Sequence, residues 1–305
     1  ILGKGRLEDL ILECLERDTE GMIFDRDITP RQLLNLSRKT ELKILDRTQL
    51  ILEIFARRAT SAVAKTQVEM AQLRYSLPRL IERHSGLSRL AGGLGGRGPG
   101  ESALEVSRRR ARERLGKLQK ELDQRKKQRQ LQRRARRRGS VRKVALVGYT
   151  NAGKSTLLNA LTGSDVLAED QLFATLDTTN RKWLLRPEAA HLPAHEKEVI
   201  LVDTVGFIRD LPKDLIEAFR ATLEEASDAD LLLHVIDDAQ DGEEARVAAV
   251  HDVLEAIGCG DIPRLIIRNK CDLSGHAAGR LGGHSVRVSA TANQGLVELR
   301  HMVQD

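Results

Sequence analysis

A nine-residue segment in the middle of the chain combines residue types that suit phosphate binding. It consists of Gly148, Tyr149, Thr150, Asn151, Ala152, Gly153, Lys154, Ser155 and Thr156. Glycines let backbone N–H groups turn towards a phosphate, and a helix that starts here adds its partial positive charge. Lys154 is expected to contact the β- and γ-phosphates as a catalytic group, and the Ser155 hydroxyl to bind Mg²⁺. The segment predicts a nucleoside triphosphate site.

A second segment with phosphate chemistry follows the apolar run at 199–202, and it consists of Asp203, Thr204, Val205 and Gly206. A carboxylate at a strand end suits a water-mediated contact with Mg²⁺, and the Gly206 N–H can contact a γ-phosphate during catalysis. By itself the pattern is weak, because an aspartate at a strand end is often a helix cap. Its place after the phosphate-binding segment favours the nucleotide interpretation.

The segment after the apolar run at 264–267 indicates which base is bound, because it contains Asn269, Lys270 and Asp272. A carboxylate such as Asp272 can accept hydrogen bonds from the N1–H and the exocyclic amine of guanine. Adenine lacks that donor pair, and a buried carboxylate of this kind discriminates by roughly 10⁴-fold. Backbone groups of Ser289 and Ala290 are expected near the guanine O6. With the two phosphate segments, the pattern predicts GTP.

A threonine is also needed to give its hydroxyl to Mg²⁺ and its N–H to the γ-phosphate when GTP is present. The segment between the two phosphate motifs offers Thr175, Thr178 and Thr179. The residue types alone leave the choice among these three open.

Two side chains bear on the rate of hydrolysis. Phe207 stands where many GTPases have a glutamine that orients the attacking water, so hydrolysis is predicted to be slow without a partner or a bound ion. Asn151 is either a ligand of a monovalent cation such as K⁺ or an asparagine that stabilises its loop.

The spacing of apolar runs predicts an α/β fold for residues 141–305. Runs at 144–147, 199–202, 231–236 and 264–267 have strand length, and three of them end at the motifs above. This order is typical of a P-loop GTPase domain, a mostly parallel sheet with helices on both faces. Residues 1–45 mix short apolar runs with turns and a helix opened by Thr29 and Pro30, which predicts a small α/β domain.

Residues 46–140 are predicted to form a long antiparallel helical hairpin. Apolar residues recur at helical spacing from about 48 to 83, a glycine-rich stretch occupies 92–100, and a second helix follows over about 101–138. The second helix would extend roughly 50 Å, which suits a probe better than a core element. The alternative for the glycine-rich tip is a flexible linker.

The positive charge of the chain is concentrated in that second helix. The net charge is +6, but residues 101–143 hold 18 Lys and Arg against 5 Asp and Glu, a net of +13 that leaves −7 elsewhere. Such a segment favours a polyanionic partner such as folded RNA. The three cysteines lack metal-type spacing, and no apolar stretch approaches 18 residues. We therefore expect a reducing compartment, no zinc site and no membrane span.

Several longer segments resemble the HflX-type GTPases, and the similarity covers essentially the whole chain. They are the segments 92–101, 148–156, 203–207 and 211–225, and the residues Phe173, Ala174, Thr175, Leu176 and Asp177. The resemblance implies a ribosome-binding GTPase that acts on the large subunit and splits or rescues stalled ribosomes. It implies that the tip at 92–100 points towards the peptidyl transferase centre. It also implies that Thr175 binds Mg²⁺ beside Ser155.

The chain departs from the family at both ends, since it is expected to begin inside the N-terminal domain and to stop after the GTPase domain. We expect a cytoplasmic monomer, with a mitochondrial or plastid matrix as the alternative location. A GTPase that assists large-subunit assembly or RNA modification is a second function, although no nucleophile cluster supports a modification enzyme. A switch with protein partners only is the third, and the localised charge disfavours it.

Overall fold

The structure is a computed structural model that describes residues 3–40, 42–88, 103–136, 141–164, 179–185, 197–207 and 226–304. The predicted tip at 92–100 and the segments 173–178 and 211–225 lie outside the described residues. Contacts divide the chain into two units, Ile1–Arg57 with Thr66–Asp123 and Arg58–Lys65 with Gln124–Asp305. The domain boundaries predicted after residues 45 and 140 stay predictions.

The first unit begins with a small α/β arrangement. Its elements are α1 (Lys4–Glu16), β1 (Gly21–Ile23), α2 (Pro30–Thr40), β2 (Lys43–Leu45) and α3 (Arg47–Arg58), with β1 and β2 paired in parallel. Thr29 opens α2 as predicted, because its hydroxyl accepts a hydrogen bond from the Gln32 N–H (3.3 Å) and its own N–H donates to Gln32 Oε1 (3.0 Å). This reciprocal cap satisfies two backbone donors at the helix start.

The prediction of a single helix from about 48 to 83 was wrong, because the chain forms two helices there, α3 and then α4 (Ala62–Ser88). Ser61 starts the second helix, since its Oγ accepts a hydrogen bond from the Ala64 N–H at 3.0 Å. Apolar spacing continues across the break, so periodicity could not reveal it. A further long helix, α5, spans Ala103–Arg136, and Arg114 donates two hydrogen bonds to Glu69 of α4 (2.6 and 2.8 Å). The antiparallel hairpin itself stays a prediction.

A buried carboxylate joins α4 to the α/β part of the first unit. The Asp46 side chain is 1% exposed and pairs with Arg79 of α4 at 2.9 Å. It also accepts hydrogen bonds from the Tyr75 hydroxyl and the Ile28 N–H. Burial, followed by the hydrogen bond to Asp46, raises the pKa of Tyr75. Asp46 is therefore a structural anchor of this unit.

Asp46→Ala is expected to destabilise the first unit by about 3 kcal/mol, because Arg79 would stay partly buried without its carboxylate. Urea unfolding followed by circular dichroism measures this change. Asp25→Ala is the matched control, since the Asp25 side chain is 95% exposed, and it should stay within about 0.5 kcal/mol of the parent. A loss below about 1 kcal/mol for Asp46→Ala would show that the anchor is not needed.

The second unit contains a seven-stranded sheet of order β4-β5-β3-β6-β7-β9-β8. Its elements are β3 (Arg142–Gly148), α6 (Lys154–Thr162), β4 (Thr179–Leu185), β5 (Lys197–Asp203), β6 (Leu231–Asp237), α7 (Glu243–Ala256), β7 (Arg264–Asn269), α8 (Cys271–Ser274), β8 (Gly279–Gly282), β9 (Ser285–Arg287) and α9 (Leu296–Gln304). Strands β5, β3, β6, β7 and β9 are mutually parallel, while β4 and β8 pair antiparallel at the two edges.

The four strands predicted from apolar runs are all present, and the mostly parallel sheet is confirmed. Sequence analysis missed the edge strands β4 and β8, whose residues are largely exposed and do not form an apolar run. Thr179, one of the three candidate threonines, is the first residue of β4 and pairs with Asp203 of β5. Among the described helices, none combines the length and the apolar character that a membrane crossing requires.

Candidate functional site

The phosphate-binding segment lies between the end of β3 and the start of α6, as predicted. Gly153 has φ +88° and occupies the helix N-cap position. A Cβ at this residue would collide with the side-chain amide of Asn269. Glycine is needed here both for the left-handed backbone and for the close approach of Asn269.

Lys154 is buried at the start of α6, with 6% of its surface exposed. Its Nζ donates hydrogen bonds to the carbonyl oxygens of Gly148 (3.2 Å) and Tyr149 (2.9 Å). Burial lowers the pKa of Lys154 to about 8, although the negative charge of Asp203 acts in the opposite direction. Burial disfavours the charged form of Lys154, so a negatively charged phosphate beside it would stabilise the ammonium.

Ser155 and Asp203 lie together at the edge of the site. The Ser155 hydroxyl donates a hydrogen bond to Asp203 Oδ2 at 2.6 Å, and Asp203 is fully buried. A hydroxyl and a carboxylate are the hard oxygen groups that Mg²⁺ prefers. These two residues therefore fit the predicted metal position, while Thr175 lies outside the described residues.

The segment after β5 is hydrogen-bonded to the phosphate-binding loop. The Phe207 N–H donates to the Gly148 carbonyl (3.1 Å), and the Thr150 N–H donates to the Phe207 carbonyl (2.7 Å). The Phe207 side chain is 1% exposed, so it packs into the core and adds no polar group to the site. A Cβ on Gly206 would lie 2.8 Å from Thr150 Cγ2 and 3.0 Å from Lys154 Nζ. Only glycine fits at position 206, directly beside Lys154.

The other members of this segment face the protein. The Thr204 hydroxyl donates to the Leu146 carbonyl at 2.6 Å, and Val205 is buried. Thr204 and Val205 therefore hold the segment against β3, and their side chains are not available to a nucleotide.

The Asn269 side chain connects three segments that lie far apart in the sequence. Its side-chain Nδ2 donates to the Ala152 carbonyl and its Oδ1 accepts from the Ala290 N–H, each at 3.0 Å. Asn269 is 2% exposed, so these bonds are shielded from water. The phosphate-binding loop, the segment 269–272 predicted to bind guanine (the guanine motif) and residues 288–290 are therefore joined at the carboxyl edge of the sheet.

The neighbours of Asn269 differ in exposure. Lys270 has φ +69° and pairs with Asp237 Oδ2 at 2.9 Å, which holds its side chain at the edge of the loop. Ser289 is buried, and its hydroxyl accepts a hydrogen bond from the Ala292 N–H (3.0 Å). Asp272 is exposed. The predicted discrimination between guanine and adenine assumed a buried carboxylate, and the protein without ligand does not bury Asp272.

Comparison with known proteins places this site in a family. Residues 143–270 match the family described as "50S ribosome-binding GTPase", residues 1–56 match "GTP-binding GTPase N-terminal", and residues 58–136 match "GTP-binding GTPase Middle Region". "GTPase HflX" of Lacrimispora saccharolytica is 44% identical over 308 residues, which cover 99% of this chain and 70% of that relative. The chain belongs to the GTPase HflX family.

Two further proteins agree with this assignment. "GTPase HflX" of Caldanaerobacter subterraneus is 50% identical over 272 residues, which are 89% of this chain but 62% of that relative. The chain therefore spans about two thirds of the length of such relatives. The crystal structure of a protein named SsGBP in complex with GDP has a TM-score of 0.53 and 26% identity, covering 99% of this chain and 85% of that one. These matches confirm the predicted P-loop GTPase fold.

Sequence analysis missed the polar residues at the end of β6. Asp237 pairs with Lys270 of the guanine motif, and the adjacent Asp238 contacts Ser274 of α8. The signal was present as two consecutive aspartates directly after the apolar run at 231–236. Two adjacent aspartates at a strand end match no nucleotide-binding motif, so the sequence gives them no specific role.

Asn151 adopts φ +61°, and its side chain is exposed. Asparagine is one of the few residues that tolerate this left-handed backbone, which explains the residue without a ligand. The role of Asn151 towards a monovalent cation stays a prediction.

His234 of β6 makes the stability of this unit depend on pH. Burial, with smaller contributions from the charges of Arg264 and Lys154, lowers the pKa of His234 from 6.5 to about 4. The pKa of His234 is lower in the folded protein than in the unfolded chain. The free energy of unfolding therefore has its full value above pH 6.5 and decreases by about 3 kcal/mol as the pH falls towards 4. Denaturant unfolding of the parent and of His234→Leu at several pH values measures it. The stability difference between them should change over this window; a constant difference would contradict the expectation.

Proposed function

We propose that this chain binds GTP and Mg²⁺, hydrolyses GTP and uses the cycle to act on the ribosome. The observation that carries the nucleotide part is the junction made by Asn269, which brings the phosphate and guanine motifs into one site. The GDP complex of SsGBP, whose similarity covers 99% of this chain, supports the same ligand class.

The residues have distinct parts in this proposal. Lys154 neutralises the β- and γ-phosphates, and the Gly206 N–H contacts the γ-phosphate. Ser155 and Thr175 would hold Mg²⁺ with Asp203 behind them, and the ion would neutralise charge that develops on the phosphate oxygens. Phe207 orients no water, so hydrolysis is slow until a partner or a K⁺ ion near Asn151 completes the site.

The ribosomal part is supported by the matched family, described as 50S ribosome-binding, and by the charge of α5. Residues 101–143 carry a net +13 while the rest of the chain is negative. We infer that the chain binds the large subunit near the peptidyl transferase centre through 92–100 and α5, and splits or rescues stalled ribosomes. Assistance to large-subunit assembly is the second candidate, because it uses the same surface.

The relatives described above are bacterial proteins, which supports a cytoplasmic location over an organelle matrix. We propose that the chain works as a monomer, with one nucleotide site and one RNA-binding helix in each molecule.

Neutralisation of three exposed lysines of α5, Lys117, Lys120 and Lys127, tests the ribosomal part. Purified 50S subunits are expected to raise the GTPase rate of the parent. The variant with all three lysines replaced by Gln is expected to need more 50S for half-maximal stimulation. The slope of the logarithm of its affinity for 50S against the logarithm of salt concentration should be smaller by about 3. The matched control neutralises Arg38, Lys39 and Lys43, exposed residues of the N-terminal α/β part.

The control variant should keep the parent's stimulation curve. An equal effect in both variants would indicate loss of total charge rather than of a binding helix. Absence of any stimulation of the parent by 50S would contradict the ribosomal function. Replacement of Na⁺ by K⁺ in the same assay tests whether a monovalent cation supports hydrolysis. Equal GTPase rates in the two salts would show that K⁺ has no such role.

A further inference from the structure

A polar cluster at the carboxyl end of β6 has no part in the chemistry described so far. Its centre is Asp238, whose side chain is 3% exposed. Asp238 Oδ2 accepts a hydrogen bond from Ser274 Oγ (2.6 Å) and contacts His276 Nδ1 (2.8 Å) and Arg287 Nε (3.1 Å). Arg268 lies 3.9 Å from Oδ1. We call these five residues the Asp238 cluster.

The electrostatics of the cluster make Asp238 a strong acceptor. Burial alone would raise the pKa of Asp238, but the hydrogen bonds from Ser274 and His276 and the charge of Arg287 outweigh it and lower the pKa. Hydrogen bonds to an ionised carboxylate are about twice as strong as neutral ones. The Ser274 bond is therefore a firm attachment.

What the cluster holds is α8, the four-residue helix that carries Asp272. The start of α8 is fixed where the Cys271 N–H donates to the Val288 carbonyl at 3.2 Å. Its end is fixed by Ser274 on Asp238. A single helical turn has little stability of its own, so its orientation depends on these attachments. Asp272 lies between them and is exposed.

The backbone connects the cluster to the guanine motif a second time. The Asp238 N–H donates to the Asn269 carbonyl at 2.8 Å, which continues the pairing of β6 with β7. Asp238 is thus bonded to the residue that starts the guanine motif and to the residue that ends α8. Removal of its carboxylate would leave the end of α8 held only by bonds within the turn itself, such as the Ser274 N–H to the Lys270 carbonyl (3.3 Å), while the start stays attached to Val288.

We propose that Asp238 is a positioning residue for base recognition, which fixes α8 so that the Asp272 carboxylate meets both guanine donors. This inference rests on the proposed guanine nucleotide site and adds a determinant of its selectivity. Asp238 acts through α8 and needs no contact with the nucleotide.

The test compares dissociation constants for GDP and for inosine 5′-diphosphate, which keeps N1–H but lacks the exocyclic amine. Asp238→Ala is expected to weaken GDP binding about tenfold, equivalent to one charge-assisted hydrogen bond, and to reduce the preference for GDP over inosine diphosphate. Ser274→Ala leaves the buried charges in place and is expected to change both quantities in the same direction, by less. This second variant keeps the test valid if Asp238→Ala folds poorly.

A double-mutant cycle separates positioning from a general loss of structure. In the Asp272→Ala background, Asp238→Ala should have little further effect on GDP affinity, because the group it positions is already gone. Asp261→Ala is the matched control, an exposed aspartate in the loop before β7, and it should match the parent.

A parent protein with no preference for GDP would overturn the proposed guanine site itself. A parent with that preference, whose Asp238→Ala and Ser274→Ala variants keep both affinity and selectivity, would overturn only the positioning role. Additive losses in the double mutant would also overturn it, since Asp238 would then act independently of Asp272.

Discussion

Asp272→Asn is expected to change the nucleotide preference of this protein from guanine to xanthine. The carboxylate can accept two charge-assisted hydrogen bonds from guanine, and each such bond contributes about 1.5–3 kcal/mol. Asparagine offers one acceptor and one donor, which match xanthine instead. GTP affinity should fall about 10²–10³-fold while xanthosine triphosphate affinity rises, as fluorescence competition would measure.

The matched control is Asp261→Asn, which removes the same charge from an exposed loop and should leave both affinities unchanged. Because Asp272 is exposed without ligand, its replacement should not alter the melting temperature. GTP selectivity that survives the substitution would show that another group reads the base.

Lys154→Ala is expected to remove nucleotide binding at physiological concentrations. The buried ammonium is held by two carbonyl oxygens beside Gly206, where a phosphate is expected. Loss of one partner of a buried charge pair reduces affinity by about 2–5 kcal/mol, which corresponds to a factor of about 30 or more. Equilibrium dialysis with labelled GDP and GTP measures it, and the loss should be larger for GTP.

The protein itself should tolerate this change, because the burial that lowers the pKa of Lys154 makes its charge unfavourable in the free protein. A melting temperature equal to or above that of the parent is expected. Lys182→Ala, which removes a lysine whose side chain is 76% exposed on β4, is the control. An unchanged affinity in Lys154→Ala would contradict the assignment of the phosphate-binding loop.

Much of the nucleotide site was predictable because its residues are contiguous in sequence and lie at strand ends. The segments at Gly148, Asp203 and Asn269 each follow a run of buried residues, and parallel strands bring their carboxyl ends to one edge. What joins the segments was not predictable. The bonds of Asn269 to Ala152 and Ala290 depend on side-chain directions that only the folded chain defines.

The failures have physical causes as well. The helix predicted across 48–83 kept its apolar period through the break at Ser61, because α3 and α4 both bury one face. Asp272 was predicted to be buried because guanine selectivity favours a carboxylate shielded from water, yet the residue is exposed. The Asp238 cluster combines residues from β7, α8, β9 and two loops, so no local sequence pattern indicates it.

We propose that the guanine nucleotide site controls attachment of the chain to the large ribosomal subunit. Sedimentation of the chain with purified 50S subunits tests it directly, in the presence of a non-hydrolysable GTP analogue, of GDP, or of no nucleotide. We expect the chain to pellet with 50S subunits in the presence of the analogue and to be largely released in GDP, and we expect Lys154→Ala not to respond to nucleotide. A chain that stays in the supernatant in all three conditions would contradict nucleotide-controlled attachment to the large subunit.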